Sequence, residues 1–280
     1  MKNLLLLSVL MFMFSCSNKP IDLNIMSFNI RLNTTTDGEN QWSNRKDVAA
    51  LAVKINQIDL LGTQEVLFGQ LNDLKERLPD YNVVGVGRED GKEKGEFCAI
   101  FYNKERFEEE KSGNFWLSET PETPGSKGWD AACERVVTWV VLKEKSSGRK
   151  IFFINTHLDH VGQTARNEGV KLLLARTREL SGGLPVIITG DFNATPDSKV
   201  IKQITEGSEF IDSRTIASTV SGNAGTFHNF GKIPIDSRSV IDYIFVDKQA
   251  EVESFTVLPD DLNGILVSDH SPVMAKVILK

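Results

Sequence analysis

Cysteine and histidine are scarce in this chain, with three of the first and four of the second among 280 residues. The cysteines stand at 16, 98 and 133, a spacing that matches no zinc-ligand pattern and excludes a zinc finger or ribbon as the organising element. A Lys/Arg-rich block is also missing. Lys and Arg total 32 against 38 Asp and Glu, a formal net charge of -6. A large sequence-blind nucleic-acid surface needs a basic stripe, so this balance disfavours a polymeric nucleic-acid substrate, although a local basic patch is compatible with it. No internal repeat or low-complexity segment is evident, and no apolar run after residue 14 is long enough for a membrane helix.

What is present is ordinary globular composition, 40% hydrophobic and 25% charged. Residues 17–280 are expected to form a single domain. Residues 1–16 are expected to lie outside it. Lys2 precedes the apolar run Leu4 to Phe14, too short to span a bilayer, and Ser15-Cys16 follows. This resembles a bacterial lipoprotein signal, with cleavage before Cys16 and lipid on its thiol. An ordinary signal peptide cleaved nearby is the alternative. Either implies export, and the first implies a membrane-anchored protein, periplasmic or at the cell surface. Cys98 and Cys133 read as two buried thiols or as a disulfide, and the sequence leaves that open.

Apolar alternation places strands near 21–29, 58–66, 81–86, 97–103, 136–142, 151–157, 185–191, 240–246, 252–258 and 273–279. Val48, Leu51, Ala52 and Ile55 share one helical face, and Leu67, Leu71, Leu74 and Leu78 another that Pro79 stops. Further helices are expected over 163–180 and 197–205. Many strands with few helices imply two packed sheets with helices outside, an α+β protein. Three long polar connections, 33–44, 112–134 and 214–239, are candidates for function.

Chemistry collects at strand ends. Glu65 follows an apolar strand and is an oxygen ligand of the kind a hard divalent cation takes; alone it reads equally as a solvated acid. In Gly190-Asp191-Phe192-Asn193, Asp191 can accept a proton from water and Asn193 can donate to an oxyanion. An Asx-turn into the next helix is the plainer reading of Asn193. Asn155-Thr156-His157-Leu158-Asp159-His160 ends another strand, with His157 and Asp159 on one face if the strand continues. Asp242 sits inside the apolar strand Ile241-Asp242-Tyr243-Ile244-Phe245 and needs a partner, structural or a catalytic His, to offset its burial. Ser268-Asp269-His270 precedes the last strand, where Asp269 can contact metal or support the ring of His270; by itself the tripeptide reads as surface loop. Arg135 is a candidate bidentate phosphate contact or a surface residue.

The ordered set Ser27-Phe28-Asn29, Gln64-Glu65, Asn155-Thr156-His157-Leu158, Gly190-Asp191-Phe192-Asn193, Ile241-Asp242-Tyr243 and Ser268-Asp269-His270 resembles the endonuclease/exonuclease/phosphatase superfamily, the DNase I-like fold. The resemblance implies a four-layer α/β/β/α sandwich and divalent-metal-dependent cleavage of phosphate esters with Mg²⁺ or Mn²⁺. It places Asn29, Glu65 and Asp269 at the metal. Asp191 activates or orients the water with Asn193 beside it, His157 and His270 contact the phosphate, Asp242 supports the site, and Arg135 matches a substrate-contacting Arg of some members. The expected substrate is a phosphodiester or phosphomonoester of a sugar, lipid head group or nucleotide, and the expected state a monomer. The departures at Ile188-Thr189 and Ile241-Asp242-Tyr243 speak against the phosphoinositide phosphatases. Gln41-Trp42, Phe115-Trp116 and Gly128-Trp129-Asp130 resemble a bacterial branch, where the Trp rings either stack on substrate or pin loops. A nuclease, and a binding lipoprotein without catalysis, are the competing readings.

Overall fold

The computed structural model describes residues 20–280; the expected signal segment and Cys16 lie outside the described residues. In chain order the first half comprises β1 (Ile21–Asn29), α1 (Trp42–Ile55), β2 (Leu60–Gln64), α2 (Phe68–Arg77), β3 (Tyr81–Val84), β4 (Ile100–Asn103), β5 (Phe107–Trp116) and β6 (Val136–Glu144). Then follow β7 (Lys150–His157), α3 (Gln163–Ser181), β8 (Val186–Asp191), α4 (Lys199–Thr205), β9 (Phe210–Asp212), α5 (Ser213–Ile216) and β10 (Thr219–Ser221). The chain finishes with β11 (Asp242–Asp247), β12 (Glu251–Val257), the short pair β13 (Asp261–Leu262) and β14 (Ile265–Leu266), and β15 (Val273–Leu279).

Two large sheets result. One has seven strands in the order β10-β12-β15-β1-β2-β4-β3, the other six in the order β5-β6-β7-β8-β11-β9. Helices α1 and α2 cover the outer face of the first through Val48, Val53, Leu71 and Leu74 packed on Met26, Phe28 and Leu61. Helices α3 and α4 cover the second through Val170, Leu173, Ile201 and Ile204 on Phe152, Ile154 and Ile188. Between the sheets lies a third apolar layer containing Leu23, Ile25, Leu60, Phe153, Ile187 and Ile244. Burying one such aliphatic side chain stabilises by about 1.5–3 kcal/mol, which is why the strands face one another across this layer. The arrangement is the expected α/β/β/α sandwich.

Two departures from the sequence expectations have plain causes. The segment after Ser112 was expected to be a loop, yet β5 runs on to Trp116. Its run of charged residues from Glu108 to Lys111 hides the alternation, and β5 is an edge strand, where charge blocks pairing with another molecule. The strand expected from Phe97 begins only at Ile100, because Phe97 instead bridges Val66 and Gly87. The long connection 214–239 contains β10 and a short 3-10 turn at Ile235–Ser237.

The inward face changes character along the strands. Successive inward positions read Ile25, Ser27, Asn29 on β1 and Phe153, Asn155, His157 on β7, while β8 reads Ile187, Thr189, Asp191. Register pairs these layers: Ser27 with Gly62, Asn155 with Thr189, His157 with Asp191 and Asp191 with Asp242. The middle layer is a buried polar seam. Asn155 Nδ2 donates to the carbonyls of Thr63 (2.8 Å) and Ala99 (3.1 Å), and its Oδ1 accepts from Gln64 Nε2 (2.7 Å) and Thr189 Oγ1 (3.1 Å). The seam requires a glycine opposite. A Cβ on Gly62 would collide with Thr189 Oγ1 and lie 2.6 Å from Asn155 Oδ1.

Gly62→Ala is therefore expected to destabilise by about 2–4 kcal/mol, from overpacking together with a broken buried amide bond, as read from a urea melt. A second prediction concerns Asp212, which caps α5 by accepting from Arg214 N–H at 3.0 Å. Burial pushes its carboxyl up to about 6. The folded value exceeds the unfolded one of about 3.9, so the contribution is full below pH ~4 and lost as pH rises through 6. Asp212→Asn keeps the acceptor and cannot ionise. Thermal melts should show it close to the parent at pH 4 and more stable at pH 8, by at most about 3 kcal/mol.

Candidate active site

The strand ends beyond the polar seam open into a cavity of about 560 Å³. Glu65, Asp191, Asn193, His157, Asp269 and His270 line it, and Arg135 forms part of its wall. Fully buried Asn29 ties two of the lining carboxylates together: Nδ2 donates to Glu65 Oε1 at 2.9 Å and to Asp191 Oδ2 at 3.0 Å. These bonds connect β1, the loop after β2, and β8, so they span both sheets. Asp242 stands behind His270, whose Nδ1 donates to Asp242 Oδ2 at 2.9 Å. The partner that the buried Asp242 required is thus a histidine 28 residues away in sequence.

Each local conformation has a sequence cause. Glu65 has φ 61° and Asn193 φ 46°, so a left-handed residue stands just beyond the end of β2 and two residues beyond the end of β8. At Asn193 the turn is held by the Asp191 carboxylate, Oδ1 accepting from Asn193 N–H at 2.9 Å. Asn193 is then both turn residue and wall: its Nδ2 donates to Leu158 O and to His157 Nε2, each at 3.0 Å. His157 Nε2 therefore accepts, and its ring proton sits on Nδ1. β7 stops at His157, so Asp159 does not extend that face. Its carboxylate instead accepts from the N–H of Val161 (3.0 Å), Gly162 (2.7 Å) and Cys133 (3.2 Å) and from Arg135 Nε (3.4 Å). Arg135 is buried, and its other arm donates to His160 Nδ1 at 3.0 Å.

The electrostatics separate the two histidines. Burial, then the charges of Arg135 and Arg88, hold His157 well below the ordinary histidine range, so it is neutral. Burial works the same way on His270, but Asp242, Asp269 and Asp191 outweigh it and raise it well above that range, so its ring is charged. Asp191 is pushed up to about 7, by burial first and by the Asp242 charge second. One carboxylate oxygen each of Glu65 and Asp191 and a ring nitrogen of His270 lie within 4.8 Å of one another. The clustered carboxylate oxygens of Glu65, Asp191 and Asp269 are the hard donors that a divalent cation such as Mg²⁺ takes.

Two tryptophans of the long loops prove structural. Trp42 is buried and its Nε1 donates to Asp73 Oδ2; buried Trp116 donates to the Arg88 carbonyl. Cys98 and Cys133 are free thiols, and burial pushes Cys98 up to about 12, which makes it inert. Several lining residues carried no motif signal: Arg31, Asp37, Arg88, Glu96, Phe227 and Lys232. The available hint was the polarity and length of 33–44 and 214–239, which bring Asp37 on one side and Phe227 and Lys232 on the other.

Comparison with known proteins agrees with this architecture. The family model described as Endonuclease/Exonuclease/phosphatase family matches residues 26–270. A solved endonuclease/exonuclease/phosphatase from Bacteroides vulgatus is 39% identical, covers 93% of this chain and 100% of its own, and superposes with a TM-score of 0.90. A mannosyl-6-phosphatase from Bacteroides thetaiotaomicron is 37% identical, covers 92% of this chain and 100% of its own, with a TM-score of 0.87. Nocturnin of Homo sapiens is 24% identical over 265 residues, 84% of this chain, and the chain spans only 58% of that relative's length. On a match that spans both sheets and every strand end at the cavity, the chain belongs to the endonuclease/exonuclease/phosphatase family.

Proposed function

We propose that this protein is an exported, lipid-anchored phosphoesterase, dependent on Mg²⁺ or Mn²⁺, that hydrolyses a compact phosphorylated molecule of the sugar-phosphate kind. The observation that carries the reading is convergence. Asn29, Glu65, His157, Asp191 and His270 come from five separate strand ends and meet around one cavity, with Asp242 fixing His270 from behind. The size of the cavity suits a small molecule. Its lining includes Arg31, Arg88, Arg135 and Lys232, cations that favour a dianionic phosphate. The similarity to a protein named as a mannosyl-6-phosphatase supports a sugar phosphate over a nucleic acid.

The residues divide the work. A divalent ion held by Glu65, with Asn29 and Asp269 beside it, would neutralise charge on the nonbridging phosphoryl oxygens. Asp191, raised toward neutrality and held in place by Asn29 and the Asn193 amide, takes a proton from the attacking water as the new oxygen–phosphorus bond forms. His270, charged and anchored on Asp242, holds a phosphoryl oxygen as the bond to the leaving alkoxide breaks. Neutral His157, fixed by Asn193, donates from its free ring N–H, and Arg135 braces that wall from Asp159 and His160.

Residues 17–280 should hydrolyse sugar phosphates in Mg²⁺ or Mn²⁺ at least ~100-fold faster than they cleave single-stranded DNA, and EDTA should abolish turnover. Asp191→Asn and His270→Ala should each lower kcat by about 100-fold or more; Asp191→Asn should melt close to the parent, whereas His270→Ala should melt lower because it leaves Asp242 buried without its partner. Normal turnover in both variants, or turnover that survives EDTA, would sink the reading. Salt-sensitive cleavage of DNA or RNA as the fastest reaction would turn the assignment toward a nuclease.

A further inference from the structure

The connection between β3 and β4 brings two residues, Arg88 and Glu96, to the cavity wall. It is a hairpin held by its own backbone. Gly87 N–H donates to the Lys92 carbonyl at 3.0 Å, and Arg88 and Glu89 N–H donate to the carbonyls of Glu96 and Lys94, both at 3.1 Å. Asp90 Oδ1 accepts from the N–H of Lys92 (2.8 Å) and Lys94 (3.0 Å), which closes the tip. From outside, buried Trp116 Nε1 donates to the Arg88 carbonyl at 2.6 Å. The connection after β5 packs so closely on the hairpin that a Cβ on Gly125 would lie 2.3 Å from the Glu89 carbonyl oxygen. Arg88 and Glu96 are therefore carried on a fixed frame, which lowers the ordering cost of any ligand they hold.

The two side chains pair, with Arg88 Nη1 donating to Glu96 Oε2 at 2.7 Å. Each group uses only one of its arms. Among the described residues, Arg88 Nε and Nη2 donate to nothing, although Nε is buried, and Glu96 Oε1 accepts from nothing. The other two arginines of the cavity differ. Arg31 spends its Nε and Nη2 on Asp37, and Arg135 spends the same two nitrogens on Asp159 and His160. Arg88 is thus the cavity arginine whose forked edge has no protein acceptor. A buried donor left unpaired is costly, so its retention points to a ligand that completes it.

A recess of about 10 Å³ adjoins the pair and shares Arg88, Glu96, Glu65, Arg135 and His157 with the main cavity. That is room for about one water-sized group. The chemistry of the pair selects what such a group can be. Arg88 and Glu96 nearly cancel in charge, and the Glu96 carboxylate repels a phosphate oxygen, so the pair is poorly suited to a dianion. A hydroxyl both donates and accepts, so it can give its proton to Glu96 Oε1 and take one from Arg88. An alkyl chain would leave every one of these positions unpaired and cut off from water. We propose that Arg88 and Glu96 form the subsite that reads hydroxyls on the alcohol part of the substrate, so that the cavity takes a phosphorylated sugar or polyol and rejects an alkyl phosphate of the same length. The inference rests on the reading of the cavity as a phosphoesterase site and deepens it. The phosphate is left to His157, Arg135 and His270, and the choice of alcohol falls to the hairpin.

The test compares one phosphate on two kinds of alcohol. In Mg²⁺ the parent protein should hydrolyse at least one of mannose 6-phosphate and glucose 6-phosphate with a kcat/KM ~100-fold or more above that for hexyl phosphate, which has as many carbons and no hydroxyl. Glu96→Ala should cut that preference about tenfold or more, through KM for the sugar phosphate rather than kcat. The preference is a ratio, so the effect of the lost charge on the shared phosphate cancels. Glu96→Gln, which keeps a carbonyl for Arg88, serves if the Ala variant fails to fold, with a loss of about threefold or more. A parent without the preference, or variants that retain it in full, overturns this inference and leaves the phosphoesterase reading standing. A parent that turns over none of the three substrates overturns both.

Discussion

The whole molecule depends on a single buried amide. Asn155 sits between the sheets, with its nitrogen bonded to two carbonyls of the first sheet and its oxygen shared by Gln64 and Thr189. An apolar residue there would pack, but Gln64 Nε2 and Thr189 Oγ1 would keep only longer bonds, to Ser27 Oγ (3.3 Å) and Ile154 O (3.5 Å), and the Thr63 carbonyl would lose this donor, a loss of about 1–3 kcal/mol where a buried group is left without a partner. The bonds of Asn155 fix β2 and the segment before β4 against β7 and β8. A one-residue slip of any of these strands within its sheet would turn its inward side chains outward. The site is built on the next layer up, so its geometry inherits this register.

Above the seam, charge is arranged in opposed pairs. His270 is charged because Asp242 and its acidic neighbours outweigh its burial, and His157 is neutral because burial first, and the charges of Arg135 and Arg88 second, disfavour its protonation. One histidine with a fixed proton and one without lie on either side of Asp191, 3.8 Å and 3.5 Å from its Oδ2. At Glu65, likewise, one oxygen accepts from Asn29 at 2.9 Å and the other lies 3.9 Å from Arg31 Nη1. Charges of both signs are buried together, which keeps a concentration of carboxylates compatible with a folded core.

Buried Arg45 links the fold to this arrangement. Its guanidinium donates to the carbonyls of Ile30 and Val267 and lies between the rings of Trp42 and Phe230, at 5.5 Å and 5.4 Å. It thereby joins the start of α1, the end of β1 and the loops preceding Ser268 and following Phe227. Trp42 stood out in the sequence as a possible stacking surface for substrate, and the structure uses it to hold this cation instead. Phe227 packs on His270 with ring centroids 4.9 Å apart, so the 214–239 connection reaches the cavity through an aromatic contact that no local pattern announces.

The sequence by itself determined the two-sheet sandwich, most strand positions and the motif residues at the strand ends, because period-two alternation and abrupt polar endings are local properties. It hid β5, whose edge position is a fact about neighbours rather than about its own residues. Tertiary structure alone decided that Asp242 belongs to His270 and not to a structural cation, that Asp159 serves a loop, and that Arg31 stands among Asp37, Glu65 and Asp269. Those facts are distances between groups brought together by crossing strands from two sheets. Which side chain neutralises which charge depends on that convergence, and no spacing along the chain encodes it.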